Sequence, residues 1–152
     1  MKLAEALQER ADINRKIQQL TSRISDNVLV QEGEQPLENP EQLKRELDGA
    51  IDRLTHLIAC INDTNCKTII EGQSLTQLLA KKDTLIEKIS SYRSIIRTAG
   101  NISHRARGTE IKIKTTISVP IWQKELDSLE KELRLLDNRL QESNWKTELI
   151  ES

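Results

Sequence analysis

His56, Cys60 and Cys66 are the residues of this chain whose types could do chemistry. His56 and Cys60 stand four positions apart, a spacing that puts both on one face of a helix, as metal ligands can be. Cys66 follows across a polar run, Asn62-Asp63-Thr64-Asn65. A closed zinc site needs four ligands, and His104 is the only other histidine. A nucleophilic thiol needs a lowered pKa and a nearby base. His56 is the only base close in sequence, and nothing evident orients it. Cys60 therefore reads as a small apolar residue. Asn62, Thr64 and Asn65 read as corner residues that turn the chain out of a helix. A small-ligand or metal site at the Asn62–Cys66 corner is the alternative. There is no Gly-rich phosphate loop, HExxH, GxSxG or paired-carboxylate constellation. No catalytic residue, metal or cofactor is expected.

Charge is the second source of possible function. The segment 93–114 holds Arg93, Arg97, Arg105, Arg107, Lys112 and Lys114 against Glu110 alone. The segment 32–52 is its opposite: seven acids, among them Glu32 and Glu34, against Lys44 and Arg45. The whole chain nevertheless carries a formal net charge of -1, which predicts neither a nucleic-acid nor a membrane partner. The basic segment lacks the interleaved aromatics that single-strand binders use for stacking. Two readings remain level. Either both runs are solvated surface, or they meet each other within or between chains.

The elements that position these residues are helical. Of 152 residues, 31% are charged and 2% aromatic, with no Phe. That is the composition of long helices and coiled coils rather than of a thick globular core. Leu3, Ala6, Ile13, Ile17, Leu20 and Ile24 repeat every three to four residues, so a helix is expected over 2–25. Asn39 as cap with Pro40 behind it starts a second helix over 40–61. Its stripe is Leu43, Leu47, Ala50, Leu54, Leu57 and Ile61. Ser74 with Gln77 is a capping-box pair that opens a third helix over 74–98, closed by a left-handed cap at Ala99-Gly100-Asn101. Trp122, Leu126, Leu129, Leu133, Leu136 and Leu140 give the fourth, over 119–143.

Between the helices the period changes. Ile111, Ile113, Thr115, Ile117 and Val119 alternate with polar residues, which reads as a strand. A lone strand leaves its backbone groups unpaired. Its expected partner is the β-prone piece 67–71, giving a small two-stranded element of 67–71 with 111–119. The fold class expected is mainly α, four long amphipathic helices in antiparallel coiled-coil pairs. All of 1–152 reads as a single helical domain.

The runs "ALQERADINRKIQQLTSRI", "NVLVQEGEQPLENP", "INDTN", "RGTEIKIK" and "LDSLEKELRLLDNRLQESNW" resemble, in this order, the septicolysin-like family of small bacterial proteins. The resemblance covers nearly the whole chain. "VQEGEQPLENP" and "INDTN" are its specific parts. It implies no catalytic residue and gives neither cysteine a role. The family's name suggests a membrane-active toxin, a cytolysin, as a second functional alternative. The residues that stand in the distinctive non-helical motifs are Gln31, Glu32, Glu34, Asn62, Thr64, Asn65, Arg107, Glu110 and Lys112, with Arg105 beside them. Core packing does not explain polar residues at connections.

The expectation is a non-enzymatic helical protein that associates with itself. No run approaches the roughly 20 apolar residues of a membrane-spanning helix. The first ten residues are charged and no apolar leader region follows, so a cytoplasmic protein is expected.

Overall fold

Apolar side chains at three-four spacing coil into four helices, and the sequence signals set their starts better than their ends. The structure is a computed structural model and describes residues 1–101 and 111–151. In order along the chain the elements are α1 (Leu3–Asn27), α2 (Pro40–Lys67), β1 (Ile69–Ile70), β2 (Gln73–Ser74), α3 (Leu75–Gly100) and α4 (Val119–Lys146). The fold is mainly α, four helices packed in pairs with one small antiparallel β element.

The chain divides into two compact units. The first comprises Met1–Ser74 with the chain from Ser143 onward. Here α1 and α2 form an antiparallel hairpin. Leu3, Ala6, Ile13 and Leu20 from α1 are buried with Leu43, Ala50, Leu57, Cys60 and Ile61 from α2. Two alanines in this seam let the backbones come close. A bidentate pair, Arg53 Nε and Nη2 donating to Glu9 at 2.7 and 2.9 Å, ties the flank of the hairpin. Asn39 caps α2 as its type predicts, its side-chain oxygen accepting the Glu41 N–H at 3.0 Å, with Pro40 in the first helical position.

The second unit is Leu75–Glu142, the hairpin of α3 and α4. Leu85, Ile89 and Leu126 form its buried cluster, with Tyr92, Ile96, Leu129 and Leu133 packed against it. Tyr92 and Trp122 meet with ring centroids 5.3 Å apart. On α3 the apolar stripe Leu78, Leu85, Ile89, Tyr92 and Ile96 is interrupted at Lys82, which donates to Asp137 at 2.6 Å. An interrupted stripe position is thus an inter-helix ion pair.

The β element exists, but its partner differs from the expectation of 67–71 with 111–119. Ile69 pairs with Ser74 and Ile70 with Gln73. The two intervening residues, Glu71 and Gly72, both have positive φ, 48° and 83°. That is the backbone of a two-residue hairpin turn of the mirror-image type. Pairing across two residues closes a far shorter loop than pairing with a segment beyond α3, so the local partner wins. The alternating segment 111–117 is not a strand.

Two helix ends also differ. Gly100 is the last residue of α3 and has no positive φ; the Asn101 N–H donates to the Thr98 carbonyl at 3.2 Å instead of a left-handed cap forming. α2 runs through Asn62–Cys66 to Lys67, so this stretch is no corner.

Candidate interaction surfaces

The stretch Asn62–Cys66 is helical, and two of its side chains, Thr64 and Asp63, have fixed partners there. Thr64 is fully buried. Its hydroxyl donates to the Cys60 carbonyl at 2.7 Å and accepts the Ile150 N–H at 2.9 Å. Asp63 takes Lys67 Nζ at 2.8 Å on the flank. Asn62 and Cys66 are exposed, Asn65 half-buried and Cys60 buried. Thr64 therefore belongs to a clasp, not to a polar pocket. The rest of the clasp joins the two ends of the described chain. The Leu3 N–H donates to the Thr147 carbonyl and the Leu149 N–H to the Met1 carbonyl, both at 2.8 Å. Lys2 Nζ lies 2.5 Å from Glu148, and this hydrogen bond holds the Glu148 carboxyl below its ordinary range. Sequence reasoning missed the clasp, since the tail after α4 carries no periodic signal.

His56 Nε2 and Cys60 Sγ are 3.6 Å apart. Among the described residues no three His, Cys, Asp or Glu side chains cluster as a metal set.

The acidic connection between α1 and α2 is anchored at both ends. Asn27 Nδ2 donates to the Arg23 carbonyl at 2.8 Å, and Asn27 Oδ1 accepts the Glu38 N–H at 3.0 Å. Arg23 grips the Glu38 carboxylate with Nε at 3.0 Å and also with Nη2. This hydrogen bonding lowers the Glu38 pKa and raises that of Arg23. Between these anchors Gln31, Glu32 and Glu34 are exposed. The Gln31 carbonyl accepts the Glu34 N–H at 2.9 Å, closing a turn around Gly33 at φ 87°. Val28, Leu29, Val30 and Leu37 are exposed on the same connection, Leu37 at 99%. Asn27 and Arg23 were not singled out in the sequence. An Asn at the end of an apolar stripe was the available signal.

At the far end of the α3–α4 hairpin lies an open cleft of about 590 Å³. Ile95, Arg97 and Thr98 on α3 line one side, and Ile113, Lys114 and Ile117 the other. Arg93 is drawn off to Glu130, Nε at 3.1 and Nη2 at 2.6 Å. Lys112 is exposed beside the cleft. Arg105, Arg107 and Glu110 lie outside the described residues.

These features define a helical-hairpin protein whose distinctive polar residues sit at connections and helix flanks. The chain belongs to a family of unknown function, DUF6847, whose model matches residues 10–149. It is also similar to a functionally unknown conserved protein from Corynebacterium diphtheriae, known from a crystal structure. The identity is 36%, 99% of each chain is covered, and the TM-score is 0.91. No curated protein matches the chain significantly.

Proposed function

We propose that the protein is a non-enzymatic, cytoplasmic helical protein that works by associating with further copies of itself. One observation carries the reading. The α2 helix has a wider apolar face than α1 covers. Leu47, Ile51, Leu54 and Ile58 run along it at helical spacing, and Ile51 and Ile58 remain 42% and 39% exposed in the whole chain. A single exposed isoleucine is ordinary; an aligned stripe beside half-buried leucines is a surface that a second helix can cover. A second copy is the occupant chosen, because the two charged connections are mutually complementary while the net charge is near zero. The absence of catalysis is part of the proposal. It draws support from the groove between α3 and α4, where four of the five charged lining groups are already paired: Lys82 with Asp137 and Arg93 with Glu130. The septicolysin-like resemblance is kept as kinship, without the cytolytic activity. Among the described residues no helix is long and apolar enough to cross a membrane.

The test is molar mass by light scattering over a concentration series. The wild type is expected to exceed the 17.4 kDa of one chain, and the double variant I51E/I58E to fall back towards it. Since both positions are exposed, the hairpin itself is expected to keep its helicity. A wild type that stays at one chain's mass at every concentration would overturn the reading.

A further inference from the structure

The α1–α2 connection holds out a side chain that its own fold does not use. Leu37 is 99% exposed, yet its position is set. Pro36 restricts the backbone before it, and Glu38 after it is held by Asn27 and Arg23. Leu29, at 86% exposed, stands on the same connection. Glu32 and Glu34 are exposed there and make no ion pair with any described residue. The connection therefore carries exposed apolar side chains and exposed carboxylates on one short segment.

The end of the α3–α4 hairpin has the opposite make-up. Its cleft of about 590 Å³ is lined by Ile95, Ile113 and Ile117, and by the cations Arg97 and Lys114. Ile95 and Ile113 are 42% and 40% exposed. Arg97 and Lys114 are exposed and make no ion pair with any described residue. The cleft lining thus combines apolar side chains with two cations.

We propose that the Leu37 knob of one copy seats in the α3–α4 cleft of a second copy. Leu37 lies against Ile95 and Ile113, while Glu32 and Glu34 face Arg97 and Lys114. The inference rests on the self-association proposed above and names a contact for it. Apolar burial supplies the attraction and charge complementarity supplies the register. Knob and cleft are different patches, so the contact is heterologous and either closes into a ring or propagates.

The experiment is light-scattering mass over a concentration series for four variants beside the wild type: L37D, E32K/E34K, R97E/K114E, and the chain carrying both charge reversals. All the changed residues are exposed, and circular dichroism verifies that helicity is retained. L37D and each single-patch reversal are expected to weaken association about ten-fold or more. The chain with both reversals restores complementarity and is expected to regain much of the loss, which a general loss of structure would not. Association that is unchanged in L37D and in both reversals overturns this contact and leaves self-association through α2 standing. A wild type that never associates overturns both.

Discussion

At the scale of single residues, Thr64 shows how a polar side chain in a helix can be structural rather than reactive. Its hydroxyl returns to the Cys60 carbonyl and accepts the Ile150 N–H, both within the first unit. Replacing it with valine keeps the shape and leaves a half-buried N–H without its acceptor. Such a loss costs about 1–3 kcal/mol. T64V is therefore expected to lower the urea midpoint, and T64S, which keeps the oxygen, to lower it less. Equal midpoints for T64V and wild type would mean that the clasp adds nothing. The ion pairs carry a second expectation. Glu9, Glu38 and Glu148 are all held below the ordinary carboxylate range, each first by the hydrogen bond from its basic partner, Arg53, Arg23 and Lys2. A carboxylate with a lowered folded-state pKa adds stability that is complete above its unfolded-state value. That stability is lost as the pH falls through the folded-state value. Thermal melts should thus be flat near neutrality and fall on the acid side of the carboxylate range. The drop is modest, because all three pairs are partly exposed.

At the scale of elements, the helices were legible and the connections were not. Leu57 and Ile61 announce α2 by spacing alone, and both are buried at 1% exposure. Asn39-Pro40 marks its start because capping chemistry is local. Its end was misplaced because Asn62, Asp63 and Asn65 are good turn formers, and the tertiary contact that keeps Thr64 helical comes from Ile150. The β partner was misassigned for a related reason. Glu-Gly is a weaker signal for a mirror-image turn than Asn-Gly or Asp-Gly, while the alternation at 111–119 is conspicuous although the segment is not a strand. The turn itself gives a direct check. Gly72 has φ 83° and open space around its α-carbon, so a methyl group there meets backbone strain rather than a clash. G72A is expected to cost about 1 kcal/mol in a denaturant titration. A cost near zero would mean that the turn relaxes to another conformation. Of the candidate site residues, Glu32, Glu34 and Lys112 are exposed at connections, whereas Thr64 is buried.

At the scale of the whole molecule, the seams account for much of the apolar surface, and what they leave over points outward. Ile51 and Ile58 on α2, Leu37 on the acidic connection, and Ile95 and Ile113 at the basic cleft are exposed in the complete chain. The two charged segments cancel each other and the whole chain carries a net charge of only -1, so one copy can attract another without a large net repulsion. The 36% identical protein from Corynebacterium diphtheriae has the same fold over 99% of its length. It is a natural second sample for any mass measurement. The measurement that bears most directly on self-association is the molar mass of the wild-type chain by light scattering, across a concentration series at low salt and at ~1 M salt, where screening is strong. The expected result is a discrete species heavier than 17.4 kDa whose mass falls at high salt. A mass of one chain at every concentration and both salt levels would contradict the account.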